Sequence, residues 1–236
     1  MTSTVTLGLP FVEAAQAQKH VTVNEAFQRL DALTQMTLAG TGASVPPVAP
    51  GEGEVHAVGA GASGAWFGFD GALALYQNGG WDSVTPVAGW RAWDAEAGAI
   101  VTFDGVEWVP GLIALSGAGA AFAHRTADVL HSVGGGPVST VTAALPDGAL
   151  VLGVSLRVVS SIGGASSFDL GVSGAATRFA MGVSSAAGAT AATIRDVPQV
   201  YPGGGDIVLT AKGGSFNGTG QVWLAIHLAE LTPPRA

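Results

Sequence analysis

From about Ala127 onward, apolar and polar positions alternate with a period of two. Leu150, Leu152, Val154, Leu156 and Val158 alternate with Val151, Gly153, Ser155, Arg157 and Val159; Phe168, Leu170 and Val172 alternate with Ser167, Asp169 and Gly171. Ile207, Leu209 and Ala211 repeat the pattern. Val222, Leu224, Ile226 and Leu228 close it, which places Trp223, Ala225 and His227 on the other face of the last strand. Successive side chains of a strand point to opposite faces, so each run predicts a half-buried strand. Glycine turns at 134–136, 163–164, 203–205 and 213–214 separate the runs. Alternating strands, frequent Gly turns and no helical period predict an antiparallel β-sandwich, jelly-roll-like, over residues 112–236.

The first 44 residues have a different period. Thr22-Val-Asn-Glu25 matches a capping box, with Thr22 as N-cap, and Ala26, Phe27, Leu30 and Leu33 follow at helical spacing. A helix over Val23–Gln35 is expected, with a shorter one over Val12–His20. Its apolar stripe is too short to bury itself, so it must pack on another element or on another copy of the chain.

Between them, residues 45–111 hold five of the six tryptophans. Asn78-Gly79 and Asp104-Gly105 are type I′ hairpin signals, because both central residues of that turn need positive φ. The first turn would set Tyr76 opposite Trp81 and Gln77 opposite Gly80. The second would set Phe103 opposite Val106 and Val101 opposite Trp108. These aromatics read as the core of a small domain, or alternatively one or two of Trp66, Trp81, Trp90 and Trp93 stay exposed as flat platforms. Trp90 and Trp93, three apart, cannot both point the same way on a regular strand, so one of them is the better exposed candidate. The whole reads as mainly β, with a helical attachment or oligomerisation region at 1–44, a Trp-rich hairpin module at 45–111 and a receptor-binding sandwich at 112–236.

Composition narrows the function. Seventeen acidic residues against nine basic ones give a net charge of −8, which argues against the clustered positive charge of a nucleic-acid surface. No segment has the length of a membrane span and the amino terminus lacks a signal-peptide pattern, so membrane insertion is not expected. With no cysteine, there are no disulfides or thiolate metal sites. His20, His56, His124, His131 and His227 are scattered outside any HxH or HExxH pattern, and no GxSxG, P-loop or Rossmann motif is present. Neither a metal nor a cofactor is expected. Asp169, Asp196 and Asp206 could supply the two carboxylates of a glycosidase if folding brought them together, although acids at strand ends are usually solvated or capping. Enzymatic activity is not the expected reading.

A carbohydrate surface needs only an aromatic platform and planar hydrogen-bonding groups. The loop Arg195-Asp-Val-Pro-Gln-Val-Tyr201 contributes Arg195, Asp196, Gln199 and Tyr201; a second loop contributes Asn217, and the last strand contributes Trp223 and His227. Against this stand a packed Tyr201 and a surface Arg195–Asp196 pair. Trp66, Trp90 and Trp93 are secondary aromatic candidates.

The run LGLPFVEAAQAQKHVTVNEAFQRLDAL, with GAWFGFDGALALYQNGGW and GWRAWDAEAGAIVTFDGVEW, resembles proteins of alphaproteobacterial prophages and of gene transfer agents, phage-like particles that carry host DNA. That resemblance covers roughly residues 7–109. The later runs VLGVSLRVVSSIGGASSFDLGVSG and GGSFNGTGQVWLAIHLAEL resemble, less distinctively, the β-domain attached to head-spike and tail-fibre members. The resemblance implies a virion-surface protein, a homotrimer, assembled in the cytoplasm and released by lysis, that adheres to capsular or surface polysaccharide of a host cell. It implies other spike, fibre or capsid proteins as partners. Two alternatives stay open: a connector that binds another virion protein, and a capsule depolymerase.

Overall fold

A computed structural model of the protein describes residues 3–12, 19–192 and 198–235. Its backbone falls into two compact units, Met1–Leu112 and Ile113–Ala236. The first contains α1 (Lys19–Leu33), β1 (Thr37–Leu38), β2 (Thr41–Ala43), β3 (Val55–Val58), β4 (Leu73–Gln77), β5 (Gly80–Val84), β6 (Arg91–Asp94), β7 (Ala99–Phe103) and β8 (Trp108–Pro110). Two sheets form, ordered β2-β3-β4-β5 and β1-β6-β7-β8. Each is an antiparallel meander to which half of segment 37–43 adds in parallel, with Thr37 opposite Trp93 and Thr41 opposite Ala57. Asp94 ties the halves together: its carboxylate accepts the Thr41 hydroxyl at 3.0 Å and the N–H groups of Glu96 and Ala97. Ala32, Met36 and Leu38 share one core with Leu73, Leu75 and Val101. The helical region and the tryptophan module therefore form a single unit, without a break at residue 44.

The helix differs from its expected form. Among the described residues it runs from Lys19, so Thr22 lies inside it and is not its N-cap. It ends before Gln35, whose φ of +54° is the left-handed conformation that stops helices. Its apolar stripe is only partly inward: Ala32 is buried and Leu33 packs on the core, but Leu30 is exposed, and Asp31 is buried beside them. Asn24 makes two hydrogen bonds to the Val12 backbone, and Gln28 exchanges two with the Asn78 carboxamide. Asn24 and Asp31 thus serve the backbone of the amino-terminal arm, which needs partners that a leucine could not supply. The expected helix over Val12–His20 falls mostly outside the described residues.

One hairpin follows its turn signal and one does not. Asn78 and Gly79 take φ of +53° and +77°, and Tyr76 stands opposite Trp81 with rings 5.0 Å apart. At the second turn only Gly105 has positive φ. Asp104 instead accepts the N–H groups of Val106 and Glu107 on its side chain, which lengthens the loop to four residues. Phe103 consequently faces Trp108, and Val101 faces Pro110, a register two residues away from the expected one.

The second unit contains β9 (Leu112–Leu115), β10 (Ala121–Ser132), β11 (Gly135–Gly136), β12 (Val138–Leu145), β13 (Leu150–Ser160), β14 (Ser167–Val172), β15 (Ala175–Ser184), β16 (Thr190–Ala191), β17 (Gln199–Val200), β18 (Gly205–Lys212), β19 (Phe216–Asn217) and β20 (Gln221–Thr232). One sheet runs β16-β13-β20-β10-β9, with β17 also on β13; the other runs β12-β18-β14-β15, and β11 pairs with β19. Their inner faces enclose a core of Val154, Leu156, Val158, Phe168, Leu170, Ile207, Leu209, Val222, Leu224 and Ile226. This is an antiparallel β-sandwich, and the protein is mainly β, as the alternation predicts. The register of β13 against β20 shifts twice, and the first shift breaks the expected alternation. Between Val151↔Leu228 and Gly153↔His227 the register jumps, so Leu152 is an extra residue in a β-bulge. Val151 faces the core in consequence, and Leu150 and Leu152 do not belong to the inward set with Val154.

Candidate functional site on the outer sheet face

Pairing along β20 decides which residues share the outer face of the larger sheet, because directly opposed residues point the same way. Across the three central strands the rows read Arg157, Trp223, Leu130; then Ser155, Ala225, Asp128; then Gly153, His227, Thr126. His124 follows, opposite Ala229. The small side chains Gly153, Ser155 and Ala225 form the floor of a trough, and Trp223 and His227, four residues apart on one strand, stand about 13 Å from each other along it. Two depressions occupy this face. One of about 490 Å³ lies beside Trp223, Arg157, Asp128 and Thr190. The other, about 240 Å³, lies beside His124, Leu152 and His227; Ser155 and Ala192 line both.

Trp223 is 45% exposed, a large amount for tryptophan on a sheet. His227 Nε2 lies 3.1 Å from the Ser155 hydroxyl and Nδ1 lies 3.4 Å from that of Thr126. The His124 and His227 rings are near-parallel, with centroids 6.5 Å apart. The trough thus offers an aromatic plane, a guanidinium, a carboxylate, two hydroxyls and two imidazoles. Such a set can stack on a sugar ring and hydrogen-bond its hydroxyls.

Trp223 and His227 are the two sequence-selected residues that the fold brings together here. Gln199 lies opposite Val151, whose side chain faces the core, so it belongs to the other face. Tyr201 packs against the core with its hydroxyl buried and unpartnered among the described residues. Burial pushes that hydroxyl's pKa up, against the opposing pull of the Arg178 charge. Asn217 spends its carboxamide oxygen on the N–H and hydroxyl of Thr219, at 3.1 and 2.7 Å, which makes it a turn former. Arg195 and Asp196 lie outside the described residues.

The secondary aromatics divide. Trp66 is fully buried, its ring 5.1 Å from both His56 and Trp81, so it provides no platform. Trp90 packs against the first unit's core. Trp93 is 46% exposed and stands opposite Ile100, itself exposed. Sequence reasoning missed Asp128, Arg157, Ser155, Thr126 and His124 as trough residues. The alternation of β13 already set Ser155 and Arg157 apart from the core positions, but the strand that would sit beside Trp223 is a matter of register.

The carboxylates considered for hydrolysis are dispersed. Asp169 is buried, 3.0 Å from the Lys212 ammonium and accepting the Gly182 N–H. It stands opposite Thr210, four residues along β18 from Asp206, or about 13 Å, beyond the range for a glycosidase pair. Asp206 accepts the Ala143 N–H at 2.8 Å. Asp196 lies outside the described residues. Among the described residues no group of three His, Cys, Asp or Glu side chains is placed to hold a metal, and no helix is long and apolar enough to cross a membrane.

Comparison with known proteins finds a family match in the first unit. A family model described as protein of unknown function (DUF2793) matches residues 23–109, from the helix to the second hairpin. No curated protein matches the chain. Among solved structures, the cyanophage Pam1 capsid asymmetric unit contains a chain 21% identical, with 51% of this chain and 93% of that one covered at a TM-score of 0.32. A superposition this loose defines neither fold nor role.

Proposed function

We propose that this protein is a surface component of a phage-like particle and that the outer face of its larger sheet adheres to capsular or surface polysaccharide without cleaving it. The exposed Trp223, flanked by Arg157 and Asp128 above a floor of small residues, carries the adhesion reading. Placement on a particle rests on the resemblance of the amino-terminal motifs to prophage and gene transfer agent proteins, which also suggests a homotrimer and release by lysis. Aromatic stacking and a few hydrogen bonds are weak per site, and several copies on one particle would raise avidity.

Binding of labelled protein to capsulated and acapsular cells of one strain tests this. Preference for capsulated cells, reduced about tenfold or more in Trp223→Ala, is expected; equal binding to both cell types refutes adhesion to capsule. A connector role is the second reading, and the exposed Trp93 and Ile100 on the first unit favour it. In that case immobilised protein retains a capsid, spike or fibre protein from particle lysate, Trp93→Ala loses it, and glycan arrays stay blank.

A further inference from the structure

The histidine end of the trough has chemistry that sugar stacking does not use. His124 and His227 lie in near-parallel stack 6.5 Å apart, and neither has an acidic partner within ion-pair distance among the described residues. His124 is exposed and makes no hydrogen bond to the described residues, whereas His227 is held between the hydroxyls of Ser155 and Thr126. We infer that this end is an anion subsite, which takes a carboxylate, sulfate or phosphate substituent of a surface polysaccharide on protonated His124 and the Ser155 hydroxyl. It rests on the reading of the trough as a glycan site.

The hydroxyls supply the argument. A neutral imidazole has one N–H and one bare nitrogen, so one of the two hydroxyls at His227 donates into the ring. Protonation makes both ring nitrogens donors. Both hydroxyls must then accept, and their own O–H bonds turn away from the ring. Ser155 lines the smaller depression, so its proton turns into it, beside His124. Two imidazolium ions this close repel one another, and an anion between them removes that penalty. Proton uptake and anion binding are therefore coupled, and each strengthens the other.

Other charges do not supply the missing anion in place of the ligand. On the same face, Asp128 of β10 stands one row from His227 and is ion-paired neither to an imidazole nor to Arg157 of β13, a row further on, while β16 carries Thr190. Arg125 and Glu230 are ion-paired on the opposite face of β10 and β20. His131 also points to that side, where it meets Ser139 at 2.8 Å. The depression of about 240 Å³ has room for the substituent, while Trp223, about 13 Å along the strand, would stack on a neighbouring sugar of the same polymer.

Titration of the labelled full chain with D-glucuronate, D-glucose 6-sulfate and D-glucose at pH 5.5 and 7.5, followed by NMR at the imidazole and indole rings, tests the subsite. Both anionic sugars should shift His124 and His227, with affinity about tenfold weaker at the higher pH; glucose should move only the Trp223 indole. His124→Gln, at an exposed position, should weaken anion binding and reduce its pH dependence to the part that His227 supplies. A response to one anionic sugar alone supports the subsite and identifies the substituent. Shifts of Trp223 by all three sugars with no pH dependence overturn the subsite and leave the glycan reading standing, as does an anion response unchanged in His124→Gln. An equal response to inorganic phosphate marks an adventitious ion only and overturns it too. No response at either ring, together with equal binding to capsulated and acapsular cells, overturns both.

Discussion

Asp31 anchors the amino-terminal arm. Its carboxylate accepts the Thr4 hydroxyl and the Thr6 N–H, both at 2.8 Å, and the N–H of Leu7. Burial pushes its pKa up, but the backbone N–H groups of Thr6 and Leu7, with the Thr4 hydroxyl, more than reverse this and hold it below the ordinary carboxylate value. A lowered folded-state pKa contributes stability that is present above about pH 4 and lost as pH falls through the folded value. Asp31→Asn should therefore cost about 2 kcal/mol at pH 7, and urea unfolding should show the gap to wild type closing as pH falls below the ordinary carboxylate value. Asp169 makes the opposite point about function. Buried against Lys212 and Gly182, it is a structural carboxylate, and Asp169→Ala should lower the unfolding midpoint in urea by removing a satisfied buried ion. Any activity lost with it would report on folding. Neither role was legible in the sequence, because each depends on partners far along the chain, such as Thr4 for Asp31 and Lys212 for Asp169.

The elements whose signals are local were legible, and those that depend on register were not. Asn78-Gly79 is a two-residue turn that follows from its own residues, and Gly79→Ala, at φ of +77°, should cost about 1 kcal/mol in a thermal melt. Asp104-Gly105 carries the same type of signal, but Asp104 can bind the backbone two and three residues ahead, and that competing bond wins. In β13 the strand itself was evident, whereas the bulge at Leu152 appears only once β20 lies beside it. The helix shows the clearest reversal. Its apolar residues suggested a buried stripe, yet Leu30 is exposed and Asp31 is buried, because the backbone of the amino-terminal arm supplies donors that need its carboxylate. Close backbone approach sets another limit. A Cβ at Gly164 would lie 2.1 Å from the Ser215 carbonyl oxygen, so Gly164→Ala should destabilise the second unit by about 2 kcal/mol or more, measured by denaturant unfolding.

Each of the two units has a hydrophobic core of its own. Expressed separately, residues 1–112 and 113–236 should each give a dispersed amide NMR spectrum; collapse of either spectrum would show that its core is insufficient. The chain was legible at this scale as helix and hairpins followed by sandwich, from the change of period near residue 112. That residues 1–44 are inseparable from the hairpins was not, because segment 37–43 is too short to read as a strand before its two parallel partners are known. Two residues of the candidate site were legible in the same way: Trp223 and His227 fall out of the alternation, whereas their neighbours fall out of the pairing. The exposure of Trp223 has an optical consequence. It is the one tryptophan of the sandwich, so in the isolated second unit all indole emission comes from the proposed contact surface. Light from that fragment should begin red, as in water, and move to the blue when a ligand covers the ring, giving the protein a built-in reporter of its own occupancy.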